Sequence, residues 1–419
     1  MHMNNRKLTL GVFGFGCVGY GLYEVLQKTK GLNATIKKIC VKQENKQRPI
    51  DAAHFTFDKN IILNDPEINV VVELIDDADA AFDIVKQALK NGKAVVSANK
   101  KMIAQHFEEL LYLQKKFEVP LLYEAACCAS IPIIRNLEEY YDNDMLISLK
   151  GIVNGSTNYI LTKTTTENLS YQEALKLAQV QGYAETDATM DTGGFDAKFK
   201  LLILVAHAFG IILKPEAIFN IGIDHLGTLD LKYAKENEQK IKLIAYAFKS
   251  GNGKISCFVL PSFVQKEDKL YDVDDVYNGV ILETCFTDTQ FFVGKGAGAY
   301  PTASAVLSDI AALGYDYKYA YKKILQEGAL AIEEEVSFKI YCRFPILYKA
   351  YYAQFFQSVA ASYTNEKEGY LIGVVTLNVL KKIYANKESS LSIILIDVIA
   401  ESMASIKHHE AAGNEVLQF

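Results

Sequence analysis

The first third of the chain alternates short apolar runs with amphipathic stretches. Leu8 to Phe13, Ile36 to Val41, Asn69 to Ile75, Lys93 to Ala98 and Pro120 to Glu124 are continuous apolar runs of strand length. Lacking the polar alternation of a half-exposed sheet, they predict strands buried on both faces. Between them, Val18 to Lys28, Ala78 to Lys90 and Lys100 to Glu118 carry apolar residues at helical spacing, with Asn91-Gly92 as a stop signal. Strands alternating with helices predict an α/β, Rossmann-type doubly wound parallel sheet over about residues 7–130.

The pattern then changes. Ile147 to Val153 predicts a strand, and Asn154-Gly155-Ser156-Thr157-Asn158-Tyr159 a polar turn into a helix. Ser170 with Glu173 three residues on matches a capping box for the next helix. Phe195 to Gly210 is periodic and strongly apolar, and Phe291 to Ile310 holds a second glycine-rich turn leading into a helix, with Pro301 early in it. The segment after about residue 320 is rich in Tyr, Lys and Phe. It predicts strands at Val336–Arg343, Tyr370–Val379 and Ser390–Ile396, a helix near Tyr348–Tyr363 and another after Asp397. The expected domains are 1–130 for a dinucleotide, 131–294 as an α+β substrate and dimerisation domain, and 319–419 as a small α+β domain, with 295–318 packing back onto the first.

Composition narrows the possibilities. A chain of 419 residues is long enough for two to four domains and a large core. A net charge of −6 with no basic domain excludes a nucleic-acid partner. Seven cysteines without a C-x-x-C pattern suit a reduced, cytoplasmic compartment. Arg6-Lys7 and the apolar run after them imitate a signal peptide, but no A-x-A-like cleavage site follows. No apolar run reaches the 18 residues a membrane span needs.

Gly14-Phe15-Gly16-Cys17-Val18-Gly19 follows the first strand, after Phe13, and opens a helix. In that setting G-x-G-x-x-G is a dinucleotide fingerprint. Gly14 permits the turn, Gly16 lets a pyrophosphate reach the backbone, and Gly19 allows the helix to lie close to the strand. An NAD-selective site would place an acid after the second strand. Here Lys42, Lys46 and Arg48 stand near that position and favour the 2′-phosphate of NADP, although Glu44 keeps NAD open. Ser97 and Lys100 lie at the carboxyl end of a strand, where such sheets bind ligands, and Glu73 lies within the strand before it. The small-residue loop from Glu124 to Pro132 either holds a hard cation through oxygens or is a plain helix-entry loop.

The densest chemistry lies between Gly182 and Leu204, where Glu185, Asp187, Asp191 and Asp196 precede a helix bearing Lys200. Asp196 and Lys200 are four apart and share a helix face. As a surface pair they would contribute a few tenths of a kcal/mol. The apolar run from Leu201 to Val205 instead predicts a buried lysine, and buried lysines generally have a partner or a task. His207, beyond them, suits a core histidine better than the catalytic histidine of a 2-hydroxy-acid dehydrogenase, since no arginine accompanies it.

Taken together, GFGCVG, VVELI, VSANK, NGSTNYIL, GYAETDATMDTGGFDAKFKLLIL and GKGAGAYPTASAVLSDI resemble the blocks of the homoserine dehydrogenase family, in order, across about residues 8–315. The resemblance implies NAD(P)-dependent interconversion of L-homoserine and L-aspartate 4-semialdehyde, in the aspartate pathway to threonine, methionine and isoleucine. It implies Lys100 and Lys200 as paired lysines, with Asp196 orienting Lys200 and with Glu185, Asp191 and Ser156 around the amino-acid substrate. Two ammonium groups converging on one oxygen would make one of them an effective base near neutral pH. Phe13, Gly14, Gly16, Cys17, Val18, Gly19, Lys42, Ser97, Lys100 and Gly298 would face the cofactor. Glu124, Cys127, Ala129 and Ile131 would form a loop for a monovalent cation, Na+ or K+, held largely by main-chain oxygens. The final segment faintly resembles a regulatory ACT domain, and a homodimer or homotetramer is expected. Two departures stand out: Asp76-Asp77 and, in the cation loop, Cys128 and Ser130 replace glycines common in the family. Such changes leave open a catalytically silent, dinucleotide-binding regulatory protein.

Overall fold

The computed structural model describes residues 6–142, 146–326, 331–386, 388 and 390–399. They form two compact units. The first comprises residues 6–142, 202–215 and 294–325, the second 146–201, 216–293, 326, 331–386, 388 and 390–399.

In the first unit β1 (Leu8–Phe13), β2 (Ala34–Cys40), β3 (Phe55–Thr56), β4 (Val70–Glu73), β5 (Ala94–Ser97) and β6 (Leu121–Leu122) make a six-stranded sheet in the order β3-β2-β1-β4-β5-β6. Every pairing is parallel. This is the strand order of the doubly wound dinucleotide fold. All four residues of β4 are buried, which is why its sequence shows no alternation. Side-chain caps set where two helices begin: Asp77 accepts from Ala80 N at the start of Ala78–Lys90, and Asn99 accepts from Met102 N at the start of Lys100–Phe117. The last predicted strand is shorter than expected, because Glu124–Ala126 tightens into a 3-10 turn.

The second unit is built on a ten-stranded mixed sheet. Its strands are β7 (Leu146–Ile152), β8 (Phe219–Asn220), β9 (Lys240–Lys249), β10 (Ile255–Val264), β11 (Tyr277–Thr284), β12 (Thr289–Lys295), β13 (Ser337–Pro345), β14 (Ser358–Thr364), β15 (Glu368–Thr376) and β16 (Ser392–Val398). They run in the order β12-β11-β7-β9-β10-β16-β13-β15-β14, with β8 paired to β10. The sequence reading did not anticipate β9 to β12. β10 is buried at all ten positions and so shows no period of two.

Of the segment expected as a small C-terminal domain, residues 319–325 belong to the first unit, and the described residues from 331 to 399 continue the sheet of the second through a parallel β10–β16 pairing. From β13 to β16 it follows a β-α-β-β-α-β succession of the ferredoxin-like kind. The helix expected near Tyr348–Tyr363 covers only Lys349–Ala353, and Ser358–Thr364 forms β14 instead. Ser-Val-Ala-Ala-Ser-Tyr-Thr carries neither a charge nor a helical stripe; pairing with β15 decides its conformation. The helix expected after Asp397 falls outside the described residues.

Candidate active site

The first unit carries a groove of about 1130 Å³ at the carboxyl ends of its strands, lined by Phe13 to Val18 and flanked by Lys42, Ile75 and Asp77. Each fingerprint glycine has a distinct reason to lack a side chain. Gly14 sits at φ +98°, and a Cβ there would stand 2.6 Å from the Leu74 carbonyl oxygen. At Gly19 it would stand 2.5 Å from the Gly14 carbonyl oxygen, so this residue keeps the helix against the turn beneath the groove. At Gly16 it would meet nothing within 4 Å, which leaves open space for a ligand to reach the backbone. The helix Cys17–Lys28 starts there without a side-chain cap, so its first N–H groups suit a pyrophosphate.

The groove rim is balanced in charge. Lys42, Lys46, Arg48 and Lys59 face Asp58, Asp76, Asp77 and Asp83. Arg48 is committed to the Gln43 and Lys46 carbonyls and lies 5.0 Å over the Phe55 ring. Lys42 stands 3.5 Å from Asp77. Capping the Ala80 N–H, and to a lesser degree Lys42, holds the Asp77 carboxyl below its ordinary range.

The remaining cofactor candidates occupy other parts of the same unit. Ser97 is buried and donates to Glu73 at 2.6 Å. Lys100 is half-buried at the first turn of its helix. Gly298, at φ +122°, precedes the helix Ala299–Leu313. That helix comes so close to Cys17–Lys28 that a Cβ on Gly21 would lie 2.9 Å from the Ala299 carbonyl oxygen.

The second unit holds the lysine–carboxylate cluster. Asp196 and Lys200 are 4% and 7% exposed, and their charged ends lie 2.7 Å apart. The surface-pair reading is thereby excluded. Lys200 Nζ also donates to the Val153 carbonyl at 2.7 Å, which fixes the head group at the end of β7. Asn154 organises the carboxylates: its Nδ2 donates to Asp191 Oδ1 and to Asp196 Oδ2, both at 2.7 Å. Its Oδ1 caps the helix Gly155–Thr166 by accepting from Thr157 N. The sequence showed Asn154 only as a turn residue; its link to two acids about 40 positions away depends on tertiary packing. Ser156 is half-buried and donates to the Tyr183 carbonyl at 2.6 Å. Glu185 is exposed, and Asp187 is a turn-forming acceptor for Thr189 N.

Burial of a lysine does not by itself mark chemistry. Lys242 is 1% exposed, yet it binds Asn158, the Val273 carbonyl and Asp274, a purely structural set of partners. What distinguishes Lys200 is that its partner Asp196 shares the Asn154 amide with a second carboxylate, Asp191. His207 is a core histidine, held between Tyr123 Oη at 2.8 Å and Glu138 Oε1 at 2.6 Å.

The candidate cation loop is buried, and consecutive non-glycine residues, Cys128 and Ala129, adopt left-handed backbone at φ +55° and +40°. Such conformations cost about 1–3 kcal/mol each and cluster where a site needs them. The Glu124 carboxylate is occupied, accepting from Ile134 N and Arg135 N at 2.8 and 2.9 Å. Burial, reinforced by Asp309, pushes its carboxyl up to about 8. With its side chain taken up, Glu124 has only its main-chain oxygen to offer a cation, and that oxygen accepts from Cys127 N at 3.2 Å, as the Ile131 oxygen accepts from Ile133 N at 2.8 Å. Among the described residues no cluster of three or more His, Cys, Asp or Glu side chains could hold a metal.

A parallel sheet with this order, and a groove opened by this glycine pattern, define a dinucleotide-binding protein of the doubly wound class. Comparison with known proteins gives the family. The profile described as "Homoserine dehydrogenase, NAD binding domain" matches residues 14–124, and that described as "Homoserine dehydrogenase" matches 132–311. The homoserine dehydrogenase of Helicobacter pylori is 37% identical over 314 residues, 73% of each chain. That of Bacillus subtilis is 34% identical over 317 residues, covering 74% of this chain and 73% of its own. Among solved structures, a homoserine dehydrogenase from Thiobacillus denitrificans superposes with a TM-score of 0.82 at 29% identity, covering 94% of this chain and 98% of the other. One from S. aureus gives 0.72 at 26% identity, over 94% and 99%. The chain belongs to the homoserine dehydrogenase family. No helix among the described residues is long and apolar enough to cross a membrane.

Proposed function

We propose that the chain works as a homoserine dehydrogenase in which Lys200 moves the proton at the C4 oxygen and Lys100 is the second lysine of the site. Family membership carries the activity, NAD(P)-dependent interconversion of L-homoserine and L-aspartate 4-semialdehyde. The observation that carries the residue roles is the buried Asp196–Lys200 pair anchored on the Val153 carbonyl. When bound, the nicotinamide supplies the acceptor or donor of the hydride. Oxidation of the C4 alcohol also requires its hydroxyl proton to leave, and reduction requires a proton for the forming alkoxide. Lys200 does this work from a fixed position, with Asp196 orienting its head group. Asp191, Ser156 and the exposed Glu185 take the α-ammonium and neighbouring polar groups of the amino acid.

Phe13, Gly14, Gly16, Cys17, Val18 and Gly19 provide the pyrophosphate cradle, with Ser97, Lys100 and Gly298 toward the other half of the dinucleotide. Lys42, Lys46 and Arg48 support a 2′-phosphate, while Asp76 and Asp77 oppose it; the balance leaves NADP and NAD both usable. Main-chain oxygens of Glu124, Cys127, Ala129 and Ile131 hold a monovalent cation. The β-α-β-β-α-β succession from β13 to β16 supports an ACT-like regulatory role for 319–419, and a homodimer or homotetramer is expected. The test is the homoserine-dependent rise in absorbance at 340 nm, run with NAD and with NADP, with and without Na+ or K+, and with threonine added. Absence of any rise under all conditions would leave the silent regulatory reading.

A further inference from the structure

Glu73 closes β4 and is fully buried, and it belongs to neither the glycine turn nor the lysine–carboxylate cluster. Its side chain completes a ring of hydrogen bonds across the turns that follow β4 and β5. Oε1 accepts from Ile75 N at 2.7 Å and Oε2 from Ser97 Oγ at 2.6 Å. Ser97 Oγ accepts in turn from Asn99 N at 3.1 Å, and Asn99 Nδ2 donates to the Ile75 carbonyl at 3.0 Å, returning to the first turn. Asn99 Oδ1 meanwhile caps the helix that begins at Lys100.

Pairing of the two strands does not need this ring, since β4 and β5 are already in parallel register from Val70–Ala94 to Glu73–Ser97. The ring acts beyond the strand ends, where ligands of such sheets bind. Leu74 and Ile75, which it holds, line the groove. The turn after β4 reaches the ribose side through Asp77, 3.5 Å from Lys42. The turn after β5, one strand further along the sheet, lies toward the opposite half of a dinucleotide, and the ring ties the two turns together. Burial pushes the Glu73 carboxyl up to about 7, a desolvation cost that an apolar residue would avoid.

We propose that Glu73 is a positioning residue for the nicotinamide half of the bound dinucleotide, acting through Ile75, Ser97 and the Asn99-capped turn. The inference rests on the groove being the dinucleotide site. Equilibrium titration of NADPH by its fluorescence, beside ADP as a probe of the adenosine half, reads the effect without turnover. Glu73→Leu leaves the Ile75 N–H and the Ser97 hydroxyl without their acceptor, and should weaken NADPH about tenfold or more. ADP affinity should stay within about twofold, because the glycine turn and helix N-terminus that take the diphosphate are untouched. Glu73→Gln can still accept from Ile75 N through its oxygen and, with the serine hydroxyl turned, donate from Nε2 to Ser97 Oγ, and should recover NADPH binding to within about threefold. If Glu73→Leu does not fold, Asn99→Ser, which keeps a helix-capping oxygen but removes the donor to the Ile75 carbonyl, carries the test with a fall of about threefold or more. Unchanged NADPH affinity in the folded variants, or equal loss of NADPH and ADP, would overturn the proposal. Failure of the wild-type protein to bind NADPH would instead sink the groove assignment.

Discussion

The nucleotide groove and the lysine–carboxylate cluster are built by opposite means. The groove is made of backbone: a positive-φ glycine, a glycine with empty space above it, and an uncapped helix start. The cluster is made of side chains: one amide joins two carboxylates, and one of these is paired with a lysine that leans on a carbonyl. A backbone site depends on residues with nothing to remove, so it fails when bulk is added. A side-chain site fails when a group is taken away.

Adding bulk should give the larger effect. Gly16→Val fills space that holds no protein atom within 4 Å, so the fold should survive while the pyrophosphate loses its access. Its NADPH Kd, measured by titration, should rise at least about 100-fold with Tm changed by only a few degrees. Removing one amide comes next. Asn154→Ala releases Asp191 and Asp196 and should lower kcat/KM for homoserine about 10- to 100-fold, with the NADPH Kd unchanged. The lost helix cap should also cost about 1 kcal/mol of stability, visible in denaturant titration. The smallest change is at the exposed rim. Lys42→Ala should shift the ratio of NADP to NAD kcat/KM toward NAD by about fivefold, an effect that weakens with added salt.

The same contrast explains what could be read from sequence. The glycine turn, the buried strands beside it and the helix stop at Asn91-Gly92 are local features, and each leaves its pattern within a few residues. Asp196 and Lys200 were legible because helical spacing puts them on one face. Asn154 was not, because its acids at 191 and 196 reach it only through tertiary packing. Glu73 was hidden for a similar reason: a single acid in an apolar run gives no sign that it binds a serine 24 residues on. β9 to β12 escaped notice for different reasons: β10 is buried at all ten positions and shows no alternation, whereas β12 has no buried position and so no apolar run to mark it. β14 looked helical since its small, uncharged residues favour no period, and only its neighbour β15 makes it a strand.

The central claim is that Lys200 handles the proton of the C4 alcohol. Steady-state oxidation of homoserine by Lys200→Ala, beside the same variant's NADPH Kd, addresses it most directly. The account predicts a fall in kcat/KM of at least about 100-fold, with cofactor affinity retained within about threefold. Turnover close to the wild-type rate in a folded, NADPH-binding Lys200→Ala protein would contradict it.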